Sequence, residues 1–535
     1  MTRLTVSYWP ADTSVPLVDW TVGDLLRSAA AAAPERVALV EGDPDPAARR
    51  RWTYSQLLAD AEQVAAGLLE HFIPGERLAI WGPNSPEWLL VEFGAALAGL
   101  VLVTVNPALR VNEAQYVLSQ SRSDGVVYAE HYRDNPIAQT VAALAPDLPN
   151  LRERLPLADV SALRGSSPLP PVAPLDPAQI QYTSGTTGFP KGALLHHRGI
   201  VNNARLYVQR TGVPEGAVMV NPMPLFHTAG CVMAALGSLW LRGSHVLVPQ
   251  FEPGLVLELL ESERSTTFCG VPTMLVAMLE HPDFRTRDLR SVEVAVSGGS
   301  PVPAELVRRV EREVGCAMTM VLGQTELAPV ITQTRPTDSL ADKASTVGQP
   351  LPQVDIKIAD PQSGDPVPVG AQGEICARGY QSMLGYFDKP EETAATIDAD
   401  GWVHTGDLGT MDDRGYLQVT GRLKDMIIRG GENIYPREVE DVLFDHPAIA
   451  EAAVFGVPDD RWGESVAAAV RLSPGMAAPS PAELSGWAKQ RLAPHKVPQR
   501  WYVVPALPLT GSGKVQKFML RDQAGSGALA SLHAN

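Results

Sequence analysis

The sequence predicts an α/β protein with a large N-terminal domain of parallel sheets flanked by helices, a small barrel-like β subdomain, and a small α+β domain at the C-terminal end. Three observations predict it. Short apolar runs alternate with longer amphipathic ones over much of the chain, the texture turns to short Gly-, Asp- and Pro-rich segments after about Gly348, and it shifts again after "VTGRLKDMI".

The elements follow in order. "RLAIWG" reads as a strand, "SPEWLLVEFGAALAGL" as a helix and "VLVTVNP" as a strand. Farther on, "STTFCG", "VPTMLVAMLEH", "SVEVAVSGG", "PAELVRRVEREVG" and "MTMVLG" repeat the alternation. Strand, helix, strand at this spacing implies βαβ units and parallel sheets covered on both faces. The stretch "ADPQSGDPVPVGAQGEICARGY" is dense in turn formers and reads as hairpins or a small barrel. "PREVEDVLFDHPAI" then gives a helix and "AAVFGV" a strand, so a small α+β unit fills 425–535.

Composition narrows the function classes. A chain of 535 residues exceeds one core, and 45% apolar with 19% charged residues suits an ordinary soluble protein. A net charge of −16 argues against nucleic acid or an anionic membrane surface as partner. An anionic small ligand stays open, because exposed charges are screened beyond roughly 8 Å at physiological salt. Cys231, Cys269, Cys316 and Cys376 form no CxxC pair, so neither a disulfide framework nor a zinc site is expected and a reducing, cytoplasmic compartment fits. The start "MTRLTVSYWPADTS" lacks the apolar core of a signal peptide, and no transmembrane run is expected.

The stretch "YTSGTTGFPKGALLHH", Tyr182 to His197, carries the strongest local signal. Gly185, Gly188 and Gly192 let backbone approach a ligand, and the hydroxyls of Thr183, Ser184, Thr186 and Thr187 suit phosphate oxygens. Lys191 adds a positive charge. The Walker pattern needs Gly just before its lysine and Ser or Thr just after it, whereas Pro190 and Gly192 stand there. This is not an ordinary P-loop.

The order of "YTSGTTGFPKG", "GQTE", "GWVHTGDLG", "GRLKDMIIRGGENIYPREVE" and "PLTGSGKVQK" resembles the adenylate-forming (AMP-binding) acyl-CoA synthetase superfamily across nearly the whole chain, and "MLGYFDKPEET" looks most like its medium-chain fatty acyl-CoA synthetase branch. The resemblance implies ATP, Mg²⁺ and CoA, a carboxylic acid activated as its adenylate, and two domains: 1–423, binding AMP and the acyl group, and a mobile 424–535 turning about a hinge at Lys424. Thr183 to Lys191 would wrap the β- and γ-phosphates. Glu326 and Thr186 would hold the metal, and Gly323, Gln324 and Thr325 would lie at the nucleotide, with Thr325 at the α-phosphate. Gly298, Gly299 and Ser300 would border the adenine, which loses an aromatic partner because Leu322 precedes Gly323. Asp407 would accept both ribose hydroxyls beside Arg422. His227 would stand between the acyl pocket and the thiol path, followed by an apolar helix, and Lys514 would neutralise charge as the adenylate forms. Arg429, Gly430 and Gly431 would line the CoA path, with Lys496 and Arg500 as further basic candidates.

No Asp lies between Phe226 and Trp240, where amino-acid-activating relatives carry one for the substrate ammonium, so a neutral-tailed, fatty acid is favoured. A stand-alone adenylation enzyme loading a carrier protein, an aryl-CoA ligase and a noncatalytic nucleotide-binding protein are the alternatives. The last would need loss of Lys191, Glu326, Asp407 or Lys514, all of which are present. The sequence does not fix an oligomeric state.

Overall fold

The alternation of short β-branched runs with amphipathic segments becomes, in the computed structural model, two large mixed sheets and two smaller ones among the described residues. Residues 3–183, 190–300, 302–459, 461–473, 475–509, 515–529 and 532 are described. Contacts divide the chain into a larger unit, Trp9–Ile356 with Ala377–His404, and a smaller one, Met1–Tyr8, Lys357–Cys376 and Thr405–Asn535.

In the larger unit, a seven-stranded sheet among the described residues runs Gly385–Tyr386, Lys191–His196, Pro177–Thr183, Val101–Val105, Arg77–Trp81, Gly125–Tyr128 and Glu153–Pro156. The last five strands are parallel to their neighbours, and the first two are antiparallel additions at one edge. A nine-stranded sheet runs Gln349–Pro350, Val330–Gln333, Ala317–Gly323, Val294–Gly298, Thr267–Cys269, Val218–Asn221, Ser244–Leu247, Val37–Glu41 and Arg51–Thr53, parallel except at its ends. Strands buried on both faces lose the period-two pattern, and Val101–Val105 is accordingly buried at every position.

The helices start where the sequence caps them. Ser85 caps Pro86–Leu97 by accepting from the Trp88 amide, and proline at the first position already has helical φ. Thr21 with Asp24 and Thr53 with Gln56 form capping boxes for Val22–Ala32 and Tyr54–Leu68. Leu25, Leu57, Trp88, Leu89 and Phe93 then meet in one core.

In the smaller unit, Ile358 donates its amide to the Ser7 carbonyl at 2.9 Å and Ser7 donates to the Val367 carbonyl at 2.8 Å, so the N-terminal residues pack with the middle of the chain. The Gly- and Pro-rich region contributes to an open five-stranded sheet in the order Tyr8–Trp9, Val354–Ala359, Gly373–Gly379, Val403–Met411 and Leu417–Arg422, of which residues 8, 357–359, 373–376, 405–411 and 417–422 belong to this unit. No closed barrel forms among the described residues. Beyond it, Glu432–Ile434, Ile427–Arg429, Gly463–Leu472 and Ile449–Asp459 make an antiparallel sheet that Arg500–Val503 joins in parallel, with helices Pro436–Phe444, Pro481–Lys489 and Lys517–Gly525 around it. No helix among the described residues is long and apolar enough to cross a membrane.

The Glu92 carboxyl sits inside the core of the larger unit. Glu92 is 2% exposed and accepts from Gln179 Nε2 at 2.8 Å, and burial pushes its pKa up to about 8. The folded protein therefore holds this proton where the unfolded chain has lost it, and the contribution of Glu92 to stability falls as pH rises from about 4.5 towards about 8. Glu92→Gln keeps the hydrogen-bonding shape without the ionisation. Urea denaturation from pH 4 to 9 is expected to show the variant gaining on wild type as pH rises, by on the order of 2–4 kcal/mol before levelling off above about pH 8. A difference that is flat with pH would mean that Glu92 does not titrate this way.

Candidate functional site

Pro177–Thr183 and Lys191–His196 form a hairpin whose mouth sets Thr183 opposite Lys191. Apolar residues on both strands hold the register; a Cβ at Gly192 would come 2.6 Å from Ile180 Cγ2. Thr183 Oγ1 donates to the Lys191 carbonyl at 3.4 Å. Ser184, Gly185, Thr186, Thr187 and Gly188, the rest of the expected phosphate loop, lie outside the described residues, as does Lys514.

Glu326 reaches the same place from the other large sheet. The strand Ala317–Gly323 ends at a site where glycine is required by close approach, since a Cβ at Gly323 would lie 2.2 Å from the Pro329 carbonyl oxygen. The chain then forms a 3₁₀ turn, Thr325–Leu327, with Glu326 buried. Gln324 donates its amide to the Pro329 carbonyl at 3.0 Å, which closes the turn. The neighbouring parallel strand Val294–Gly298 pairs Gly298 with Val321, so Gly298, Gly299 and Ser300 leave the sheet on the same edge as Gly323, Gln324, Thr325 and Glu326. Carboxyl ends of parallel strands are where open α/β sheets take ligands. Leu322 stands here at a bulge in the pairing with Val330–Gln333.

Tyr386 links the two arrivals. Its short strand pairs with Lys191–His196, Tyr386 against Ala193, and the Met383 amide donates to the Glu326 carbonyl at 2.9 Å. The Tyr386 hydroxyl donates to Glu326 Oε1 at 2.6 Å, and Lys191 Nζ lies 4.8 Å from the ring centroid. Burial, with the Glu326 carboxylate next, pushes the Tyr386 phenol well above its usual range, so it remains a donor. Sequence reading missed Tyr386; the available signal was its place in "GYFDKPEET", which pairing alone turns into proximity.

His227 precedes a buried segment. Its Nδ1 accepts from the Ala229 amide at 3.1 Å. The apolar helix expected after it is π-helical over Ala229–Leu236 and continues as the α-helix Gly237–Trp240. Single π-turns recur at functional sites.

The smaller unit holds the other candidates. Asp407 and Arg422 face each other across antiparallel strands, and Arg422 Nε donates to Asp407 Oδ1 at 2.7 Å. Asp407 is buried, and its partner guanidinium is 42% exposed at the side chain. Gly406 has φ +70° and donates its amide to Glu374 Oε1 at 3.0 Å, which aims the strand at this point. Lys424 is exposed in the 3₁₀ turn Leu423–Asp425. The Arg429 guanidinium stacks 5.1 Å from the Trp462 ring, and the Gly430 amide donates to the Trp462 carbonyl at 2.8 Å. Lys496 is paired with Glu438 at 2.6 Å, and Arg500 is exposed on its strand.

Residues 26–387 match the AMP-binding enzyme family and 438–514 match the AMP-binding enzyme C-terminal domain. The medium-chain acyl-CoA ligase ACSF2, mitochondrial, of Rattus norvegicus is 37% identical over 97% of this chain and 90% of its own length. ATP-bound MatB from Rhodopseudomonas palustris superposes with a TM-score of 0.85 at 30% identity, covering 94% of this chain and 99% of that one. The anthranilate CoA ligase AuaEII, solved with anthranoyl-AMP, gives a TM-score of 0.87 at 27% identity over 96% of this chain and 99% of that one.

Gly430 and Gly431 both have positive φ, +60° and +86°, but a Cβ at Gly430 would lie 2.7 Å from Trp462 Cε3 whereas one at Gly431 meets nothing within 4 Å. Gly431→Ala is expected to cost only the torsional penalty, roughly 1 kcal/mol. Gly430→Ala should cost more and displace the Trp462 ring, read by denaturation and by tryptophan emission. Equal costs would show that Trp462 does not press on Gly430.

Proposed function

The chain belongs to the AMP-binding enzyme family, and on that premise we propose that it is an ATP-dependent, AMP-forming acid–CoA ligase. A carboxylate oxygen attacks the α-phosphorus of ATP and diphosphate leaves; the CoA thiolate then attacks the acyl carbon and AMP leaves. The observation that carries the reading is the set Lys191, Tyr386 and Glu326, brought together where the strands Pro177–Thr183 and Lys191–His196 end at Thr183 and Lys191. Carboxylate and triphosphate repel, so the first step needs fixed countercharge and donors.

In the larger unit, Lys191 and Thr183, with Ser184, Gly185, Thr187 and Gly188, would take the phosphates. The donor set fits Mg²⁺, since Glu326 offers hard carboxylate oxygens and only Oε1 meets the Tyr386 hydroxyl. Glu326 and Thr186 would hold the ion, which when bound neutralises phosphate charge. Gly298, Gly299, Ser300, Gly323, Gln324 and Thr325 would border the base and α-phosphate. In the smaller unit, Asp407, with Arg422 holding one of its oxygens, would accept ribose hydroxyls. Lys514 would serve adenylation. Arg429, Gly430 and Gly431 would serve CoA, and Lys424 would be the hinge residue between the two steps, dividing 1–423 from 424–535.

The acid is a fatty acid of medium length, a reading supported by the named activity of the ACSF2 relative and by the buried apolar run Cys231–Leu236 after His227. An aromatic acid is the second reading, favoured by the likeness to AuaEII. The buried thiols Cys231, Cys269, Cys316 and Cys376 form no disulfide, which suits a reducing compartment, the cytoplasm.

Diphosphate release across acetate, fatty and aromatic acids, with and without CoA, tests the reading. Medium-chain acids are expected to give CoA-dependent turnover to acyl-CoA; adenylate that accumulates unchanged by CoA would instead favour a carrier-protein acceptor. Lys514→Ala should slow adenylation by about 10²–10³ and spare thioester formation from supplied acyl-adenylate. Lys424→Pro, which fixes φ there and keeps the preceding Leu423 out of the α region, should do the reverse. Equal losses in both half-reactions for both variants would contradict the assigned roles.

A further inference from the structure

Lys191 and Glu326 carry opposite charges at the edge of a largely buried site, where attraction between them is stronger than in water. A direct ion pair would spend both on each other, and a ligand would have to break it. Tyr386 gives each a different partner: the ring face takes the ammonium at 4.8 Å and the hydroxyl takes the carboxylate at 2.6 Å. A cation over a ring is held weakly enough to exchange onto phosphate. Tyr386 is itself fixed by backbone. Its amide donates to Thr393 Oγ1 at 2.9 Å, its strand is paired to Lys191–His196, and the following Phe387 amide donates to the Gly192 carbonyl at 2.8 Å. Gly385 before it has φ +140°, and a Cβ there would lie 2.9 Å from Thr393 Cγ2, so the approach is made for this register.

We propose that Tyr386 is a positioning residue for nucleotide binding: its ring keeps the Lys191 ammonium and the Glu326 carboxylate apart, the face orienting the cation for phosphate and the hydroxyl orienting the carboxylate for the metal. This rests on the roles given to Lys191 and Glu326 above. It divides Tyr386 into two separable parts, because phenylalanine keeps the ring and loses the hydroxyl, whereas leucine loses both.

The test is calorimetric ATP binding without acid, in Mg²⁺ and in EDTA, for wild type, Tyr386→Phe, Tyr386→Leu, Glu326→Gln and the double variant Tyr386→Phe with Glu326→Gln. Tyr386→Phe is expected to weaken binding roughly tenfold in Mg²⁺, the loss of one hydrogen bond to a charged group, and to change it less than about twofold in EDTA, since the face on Lys191 remains. Tyr386→Leu should weaken binding in both conditions. The double variant should bind no worse than Glu326→Gln alone, because the hydroxyl acts through that carboxylate. Unaltered Mg²⁺-dependent binding in Tyr386→Phe, or wild-type binding of Tyr386→Leu in EDTA, overturns the proposal while leaving the ligase reading intact. Wild-type binding that is indifferent to Mg²⁺ would instead remove the metal role of Glu326, and the proposal with it.

Discussion

The backbone pairing of Lys191–His196 with Pro177–Thr183 on one side and Gly385–Tyr386 on the other is the constraint on which the larger unit's candidate site depends. A parallel sheet ends its strands at one edge and sends them away through helices. These antiparallel additions instead turn the chain back, so that a hairpin mouth and a second distant segment meet. Because the Met383 amide also holds the Glu326 carbonyl, the turn after Ala317–Gly323 is tied to the same edge. Lys191, Tyr386 and Glu326 thus come from separate stretches and are positioned by main-chain hydrogen bonds, which hold a geometry more tightly than long side chains can.

The smaller unit uses register in the same way. Asp407 and Arg422 are opposite partners in an antiparallel ladder, so the carboxylate keeps one oxygen on a guanidinium whatever its second oxygen does. Gly406, with positive φ and an amide on Glu374, sets the direction of the strand just before the acid. One group of polar side chains in the core of the larger unit is linked into a chain. Glu92 meets Gln179, Gln179 receives Gln181, and Gln181 reaches the Cys231 sulfur at 3.2 Å, which links three elements through buried side chains. A charged carboxylate at that depth would cost too much, and the proton stays on.

Much was legible in advance. The helices Pro86–Leu97, Pro272–Glu280 and Ala304–Glu313 and the strands around them fall where alternation of period and length put them, because binary patterning and caps are local properties. Other features were not local. The packing of Ser7 with Val367 and Ile358 depends on pairing partners far along the chain, and nothing in "MTRLTVSYWP" announces them. The π-helical winding after His227 was hidden too: an apolar run has the same composition whether it hydrogen-bonds four or five residues back. The turn-rich region after Gly348 announced strands, yet whether they close or stay open depends on register and twist accumulated over the whole sheet.

The sequence by itself determined the family and supplied the candidate residues for its chemistry, because glycines at close approaches and charges in ordered motifs are specified one position at a time. Only the tertiary structure decided which of those residues meet. Lys191 and Glu326 stand in different motifs on different sheets, and Tyr386, which contacts both, belongs to a stretch to which the sequence reading gave no site role. Its importance arises from strand pairing, an interaction between backbones that every residue can make, so residue type alone could not reveal it.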